Sequence, residues 1–196
     1  VIYNHGMVRD QYGKKMSKSF GNVIDPIEFI DSHGADALRF SLFQHTSPGT
    51  DVPLAPEWVE GARRFANKLW NATRFALGSL DGTRPGELPP ADRLALEDRW
   101  ILSRLEATRE AVDRAFETWD MARVSERLYH FTWDELADWY LEAVKGRMYG
   151  DDDEAKATAR AVLARVLDDL LRMLHPLMPF VTETLWRALT GSPGGA

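Results

Sequence analysis

The stretch with the clearest chemical potential lies near the start of the chain, at Lys14–Asn22 (KKMSKSFGN). It holds three lysines and two serines within six positions and closes on a Gly-Asn pair, which predicts a mobile loop. Each lysine carries a compact charge on a flexible stem, and Gly21 lets the backbone approach a ligand closely. Such a loop suits the phosphates of a nucleotide, because fixed cations stabilise the charge that develops on a leaving diphosphate. Composition alone would favour an ordinary solvated surface loop over this interpretation.

The composition as a whole is that of a globular protein with a local basic patch. The chain has 196 residues, of which 44% are hydrophobic and 28% charged, and its net charge is -6. This balance argues against general nucleic-acid binding. Within residues 1 to 20, however, Arg9 and the three lysines face Asp10 alone, which indicates a site for phosphates.

Cysteine content and hydropathy limit the cellular compartment and the kinds of site that the chain can have. The sequence contains no cysteine, which excludes disulfides and thiolate metal sites and is typical of a reducing, cytoplasmic compartment. No apolar run has the length of a membrane span and no signal peptide is visible, so we expect no membrane partner. His/Asp/Glu patterns of metal sites are also absent, and we expect no metal held by the protein.

Hydrophobic periodicity predicts a mainly α fold: an antiparallel helix bundle preceded by a small α/β connecting segment. Val1 to Arg9 is expected to form a strand with a turn in which His5 is a turn residue. Asp25 and Pro26 are a good N-cap and first residue for a short helix, and a second helix should follow Gly34. Residues 47–54 are turn-rich and are interpreted as a linker.

The bundle helices are expected from residue 56 onward. Apolar positions recur at three- and four-residue steps in the first of them: Val59, Ala62, Phe65, Leu69, Thr73, Ala76 and Leu80. Later helices are predicted from about residue 92, across 121–144, after the acidic turn at 151–154, and over 181–189. Five tryptophans fit apolar stripes and are expected in the core: Trp100, Trp119, Trp133, Trp139 and Trp186.

Several strings resemble a known family. Lys15–Ser19 (KMSKS) resembles the signature loop of the class I aminoacyl-tRNA synthetases, and residues 21–39 resemble the run that follows this loop in their valine, isoleucine and leucine members. Phe65–Phe75 (FANKLWNATRF) resembles the first anticodon-domain helix of the valine members. His175–Glu183 (HPLMPFVTE) is similar to the end of the same domain.

The resemblance implies roles for the lysine loop. In the family this loop holds the phosphates of ATP while an amino-acid carboxylate attacks the α-phosphorus. Lys15 and Lys18 would then be the catalytic cations, with Lys18 the stronger candidate. The implied ATP-binding set is Lys15, Met16, Ser17, Lys18 and Ser19, in which the serines are supporting donors and Met16 is a packing anchor. ATP is the expected substrate, accompanied by Mg²⁺.

The resemblance also implies a partner RNA. Trp70, Asn71, Arg74 and Phe75 flank the inward line of their helix, and together they offer stacking, a phosphate ligand and base-edge donors. We expect them to meet the anticodon loop of tRNA(Val). Their alternative interpretation is a purely structural role.

The resemblance implies that the chain is the C-terminal part of a larger, monomeric valine–tRNA ligase. Residues 1–54 would be the end of its catalytic domain, 55–190 the helical anticodon-binding domain, and 191–196 a disordered tail. The amino-acid pocket and the rest of the nucleotide site would lie upstream, so we expect the piece alone to be inactive. An isoleucine or leucine ligase, or a non-catalytic tRNA-binding module, are the alternatives.

Overall fold

Helices dominate the part of the chain that the computed structural model describes, residues 6–192. The helices are α1 (Pro26–His33), α2 (Ala35–His45), α3 (Pro56–Leu80), α4 (Leu96–Glu117), α5 (Met121–His130), α6 (Leu141–Met148), α7 (Asp153–Leu174) and α8 (Pro179–Thr190). A π-helix at Phe131–Tyr140 joins α5 to α6 without a break, and two short strands are β1 (Val8–Arg9) and β2 (Val52–Pro53). The predicted helix bundle with a small α/β segment before it is confirmed. His5, most of the predicted first strand and tail residues 193–196 lie outside the described residues.

The strands β1 and β2 form a parallel pair in which Val8 lies opposite Val52 and Arg9 opposite Pro53. The pair brings residues 47–54, interpreted above as a plain linker, onto the segment that leads into the lysine loop. Asp51 holds the pair at one end, where it accepts hydrogen bonds from the Met7 amide (2.8 Å) and from the Arg9 guanidinium. Both contacts lower the pKa of Asp51, the amide of Met7 contributing most.

The two short helices after the lysine loop begin as the sequence predicts. Asp25 accepts a hydrogen bond from the Ile27 amide (2.9 Å), and Pro26 is the first residue of α1. Gly34 ends α1 and precedes α2 with φ at 89°, a conformation that favours glycine. The local sequence therefore determines the angle between these helices.

The helix α3 is the central element of the core. All seven of its predicted inward residues, from Val59 to Leu80, are buried, and it packs on α2, α7, α8 and the π-helix. These packing contacts use the buried stripe of α3. The opposite face of the helix is exposed to solvent. None of the helices within residues 6–192 has the length and apolarity needed to cross a bilayer.

The helix α4 differs from the prediction at both ends. It starts at Leu96, after a short 3₁₀ turn, because the Asp98 carboxylate accepts the Ala95 amide (3.1 Å) and caps it there. It ends at Glu117. Trp119 lies beyond the end with φ at 60°, so it does not continue the apolar stripe.

The prediction that five tryptophans lie in the core was wrong for three of them, while Trp133 and Trp186 pack against the core. Trp100, Trp119 and Trp139 are exposed, the last by 71%, and Trp133 and Trp186 are only partly buried. For Trp100 and Trp139 the reason is local, since the next residue, Ile101 or Tyr140, occupies the inward position instead. A large amphipathic ring then lies at the border of the stripe.

A buried polar cluster ties α4 to the continuous helix formed by α5, the π-helix and α6. The fully buried Asp98 carboxylate accepts the Tyr140 hydroxyl (2.8 Å) and both terminal nitrogens of Arg147 (2.7 and 2.6 Å). Burial and the neighbouring Asp98 charge raise the pKa of Tyr140, which therefore stays a neutral donor. The cluster fixes the register between the two helices.

Candidate functional site

The base of the lysine loop is organised by Asp10, whose side chain is almost fully buried. One carboxylate oxygen accepts the amides of Tyr12 (3.0 Å) and Lys14 (2.8 Å), and the other accepts the side-chain amide of Asn22 (2.9 Å). The Asn22 bond contributes most to lowering the pKa of Asp10, and the two backbone amides add to the effect. Asp10 therefore remains a charged acceptor that joins the start of the loop to its end.

Asn22 bonds to both limbs of the loop. Besides reaching Asp10, its Nδ2 donates to the Lys15 carbonyl (3.2 Å), and its Oδ1 accepts the Ser17 amide (2.9 Å). Beside it, the half-buried Met16 accepts the Ile24 amide at its sulfur (3.4 Å). The loop is therefore fixed at its base, which corrects the expectation that the whole stretch is mobile.

The tip of the loop carries the predicted phosphate ligands. Residues 18–20 form a single 3₁₀ turn that ends at Gly21 with φ at 68°. The Ser17 and Ser19 hydroxyls lie 2.7 Å apart, and Lys15 and Lys18 are exposed. Within residues 6–192, no ion pair engages the lysines of this loop. The structure thus brings the predicted ATP-binding set together, with amines available for an anionic ligand.

Sequence reasoning missed Asp10 and Asn22 as organisers of this loop. A usable signal was present, since Asp and Asn next to turns bond neighbouring backbone groups with their short side chains. What the sequence alone could not show is that the two residues, twelve positions apart, bond to each other.

The four residues predicted to meet RNA all lie on the exposed face of α3. Asn71 and Phe75 line a groove of about 180 Å³ between α3 and the π-helix with α6. Phe75 is 39% exposed there. Trp70 and Arg74 are exposed as well, but they lie outside the groove. The structure therefore divides the predicted set into two groove residues and two residues beside the groove.

Two lysines that the sequence analysis did not single out complete the groove. The Lys145 amine lies 5.4 Å from the centre of the Phe75 ring, a cation–π arrangement, and it pairs with Glu142 at 2.6 Å. Lys68 pairs with Asp138 at 2.6 Å. The groove combines an apolar ring, an amide and two cations held by exposed carboxylates. Such a groove can accept a flat base and its phosphate.

The lysine-loop side of the molecule is joined to the bundle by α2. Asp36 accepts the amides of Phe180 (3.2 Å) and Val181 (2.6 Å) at the start of α8. One turn later, Arg39 donates to the carbonyls of Pro176 (2.9 Å) and Leu177 (3.3 Å). The strings at 21–39 and 175–183, each of which resembles the same family, are therefore in contact although they lie more than 130 residues apart.

No group of three or more metal-ligating side chains occurs within the described part of the chain. Asp10, the carboxylate beside the lysine loop, is already occupied by three hydrogen bonds.

Comparison with known proteins agrees with this geometry. A family model described as class I tRNA synthetases (I, L, M and V) matches residues 1–55, and a model described as the anticodon-binding domain of tRNA ligase matches residues 98–194. A valine–tRNA ligase of Streptomyces avermitilis is 55% identical over 97% of this chain. This chain belongs to the class I aminoacyl-tRNA synthetases.

Further relatives of this synthetase chain include the valine–tRNA ligase of Halalkalibacterium halodurans, which is 50% identical over 94% of the chain. Among solved structures, the ternary complex of LeuRS with tRNA and LeuAMS from Agrobacterium radiobacter K84 superimposes with a TM-score of 0.77 at 28% identity. That match covers 98% of this chain and 23% of the other. The chain spans about a fifth of the length of the valine–tRNA ligases it matches, 22% for the Streptomyces enzyme.

Proposed function

We propose that this chain is part of a valine–tRNA ligase, in which it supplies the ATP-phosphate-binding loop and the anticodon-binding bundle. The observation that carries the proposal is the lysine loop itself, which is fixed at its base while the Lys15 and Lys18 side chains stay exposed. The identity to valine–tRNA ligases along nearly the whole chain supports valine as the amino acid.

The chemistry of the loop is charge stabilisation. A carboxylate oxygen of valine attacks the α-phosphorus of ATP, the bond from that phosphorus to the bridging oxygen breaks, and pyrophosphate leaves with the electron pair. Lys15 and Lys18 hold the departing phosphates, where negative charge grows in the transition state. Ser17 and Ser19 add hydroxyl donors beside them. A ribose hydroxyl at the end of the tRNA then takes the aminoacyl group and AMP leaves.

Mg²⁺ is expected to arrive with ATP as part of the substrate. The described residues provide no set of ligands for it. No step of the reaction is therefore assigned to a metal bound by this chain.

The exposed face of α3 is the proposed tRNA contact. Asn71 and Phe75 in the groove would read and stack an unpaired base of the anticodon loop, and Trp70 and Arg74 would contact its neighbours. The groove's Lys145 supports this role, because its amine can move from Glu142 to a phosphate at small cost on an exposed surface.

The same proposal includes the arrangement of the parts. Residues 1–54 would close the catalytic domain and 55–190 would form the anticodon-binding domain, a division supported by a family-model match that ends at residue 55. The tail assigned to 191–196 begins at Gly191, which caps α8, and its last four residues lie outside the described region. We propose a monomer that works in the cytoplasm, where tRNA is charged.

The test is amino-acid-dependent exchange of pyrophosphate into ATP by the complete polypeptide that contains this chain. We expect exchange with valine, and charging of tRNA(Val), at rates far above those with isoleucine or leucine. Exchange that prefers isoleucine or leucine would reassign the enzyme within the family. Tight tRNA binding without any exchange would identify a non-catalytic tRNA-binding module.

A further inference from the structure

We infer that Asp10 and Asn22 form a latch that positions the phosphate-binding lysines for adenylate formation. The latch is defined by the Asp10 carboxylate, the Asn22 side-chain amide and the groups they bond on both limbs of the loop. This inference rests on the proposed ligase function. Asn22 is a positioning residue, since its polar atoms are used within the loop and it acts on ATP through Lys15 and Lys18.

The geometry of Asn22 carries the argument. Its side chain makes three hydrogen bonds, to the Asp10 carboxylate (2.9 Å), the Lys15 carbonyl (3.2 Å) and the Ser17 amide (2.9 Å). The two loop groups flank Met16, so Asn22 fixes the backbone on both sides of it. One of the predicted phosphate ligands, Lys15, is therefore held directly by the latch.

The contrast between base and tip shows what the latch does. The Asp10 side chain is the acceptor of the latch and is only 7% exposed. Water therefore competes little for the hydrogen bonds that Asp10 accepts from Asn22 and the backbone. The side chains of Lys15 and Lys18 are free in solvent, and Lys18 opens the 3₁₀ turn that projects from the latch. The loop thus consists of a fixed frame and two movable cations, which restricts the positions the amines can take around a phosphate.

Positioning of this kind matters for rate more than for binding. The lysines gain most when charge develops on the leaving pyrophosphate, so a displaced frame removes an interaction made mainly in the transition state. A displacement of about 1 Å in a catalytic group can cost about 100-fold in rate. Loss of Asn22 should therefore lower kcat much more than it raises the KM for ATP.

The experiment uses Asn22→Ala in the complete ligase and in this chain. In the ligase, we expect kcat for valine-dependent pyrophosphate exchange to fall by roughly 10- to 100-fold, with a much smaller change in the KM for ATP. In the chain, hydrogen exchange of the Ser17 amide should accelerate, because that amide donates to Asn22. The control is Ser103→Ala on the exposed side of α4, away from both the loop and the α3 face, which should leave kcat and the exchange rate of the Ser17 amide unchanged.

Exchanging the two side chains of the latch provides a rescue test. Asn22→Asp places a second carboxylate against Asp10 and should slow exchange more than Asn22→Ala. Adding Asp10→Asn restores one donor and one acceptor across the contact, and we expect it to recover part of kcat. Recovery of this kind distinguishes positioning from a general loss of fold.

The outcomes separate this inference from the function on which it rests. If Asn22→Ala frees the Ser17 amide and the ligase keeps its normal kcat, the latch has no catalytic role. An unchanged Ser17 amide would show that the latch does not hold the loop. If the unaltered ligase shows no valine-dependent exchange, the proposed function is wrong whatever the amide shows.

Discussion

Lys15 and Lys18 are chemically identical but are held differently by their surroundings. The Lys15 carbonyl accepts a hydrogen bond from Asn22, whereas Lys18 begins the exposed 3₁₀ turn. In the proposed reaction, the backbone of Lys18 would be freer to move with the departing pyrophosphate than that of Lys15, which is bonded to Asn22. This difference supports Lys18 as the cation with the larger effect on rate.

We predict that Lys18→Ala in the complete ligase slows adenylate formation by about 100- to 1,000-fold, the usual cost of removing one group that stabilises transition-state charge. Valine binding should change little. Pyrophosphate-exchange kinetics check this, with Lys156→Ala as a control because that lysine lies on α7 and pairs with Asp153. A Lys18 variant with an unchanged maximal rate would contradict the proposed role.

Asp51 gives a prediction about pH. Hydrogen bonds from the Met7 amide and the Arg9 guanidinium lower the pKa of Asp51 in the folded chain. A lowered carboxylate pKa means that its stabilisation is present above the unfolded value of about 3.9 and is lost as pH falls through the folded value. We therefore expect the β1–β2 pair to persist at pH 5 and to open only at more acidic pH.

An NMR titration of the Asp51 carboxyl and of the Val52 amide, which donates to the Met7 carbonyl, measures this directly. Asp51→Asn should remove the acid transition of the strand pair. A titration midpoint for Asp51 at or above that of an ordinary aspartate would show that these contacts are not formed in solution.

At the scale of elements, the buried cluster around Asp98 holds α4 against the helix from α5 to α6. Removing one partner of a buried ion pair leaves a charge without compensation, which typically costs about 3–5 kcal/mol. We predict that Asp98→Ala lowers the free energy of unfolding by roughly 3 kcal/mol, the lower end of this range, because the Tyr140 hydroxyl loses its acceptor while Arg147 keeps its pair with Glu97 at 3.0 Å.

Urea denaturation of the chain measures the effect. The matched control is Asp113→Ala, also on α4, whose carboxylate pairs with Arg109 at 3.1 Å on the surface. Exposed pairs contribute roughly 0–1 kcal/mol, so this variant should stay close to the original stability. Equal effects of the two substitutions would mean that the Asp98 cluster does not fix the helices.

Structural elements that depend on residues close together in the sequence could be predicted from it. Elements that depend on contacts with residues far along the chain could not. The inward stripe of α3 and the Asp25 cap of α1 are determined by residues two to four positions apart. In contrast, the contact of Asp36 with Val181 joins residues 145 positions apart, and the strand β2 exists only because β1 pairs with it.

The candidate site shows the same division. The composition of the lysine loop predicts an anionic ligand, because charge and hydroxyl content do not depend on the fold. The latch at its base and the Lys145 contact with Phe75 could not be foreseen. Each depends on the spatial relation of two segments that have no common sequence pattern.

At the scale of the molecule, α2 links the two proposed sites. Its Asp36 contacts the start of α8 and its Arg39 contacts the connection between α7 and α8, while α2 packs along α3, which carries the proposed tRNA face. A tRNA bound at α3 would thus lie on a scaffold continuous with the segment that carries the lysine loop.

For the tRNA face, we predict that Arg74→Ala combined with Phe75→Ala weakens tRNA(Val) binding by the complete ligase. Stacking on an aromatic side chain is worth about 1–3 kcal/mol per base, and removal of one phosphate contact also reduces the salt dependence of affinity. Footprinting of the anticodon loop and binding at several salt concentrations measure both effects. Arg114→Ala, an exposed arginine on α4, is the control. An unaltered footprint would exclude this face as the anticodon site.

The partial exposure of the tryptophans has a spectroscopic consequence. None of the seven indoles is fully buried within residues 6–192, where all of them lie. Four of them, Trp70, Trp100, Trp119 and Trp139, are exposed, so a large part of the native emission should already lie near the wavelength of free indole and the shift on unfolding should be small. The same exposure leaves these four indoles open to quenchers. Intensity, rather than wavelength, is therefore the optical signal by which RNA covering Trp70 could be followed.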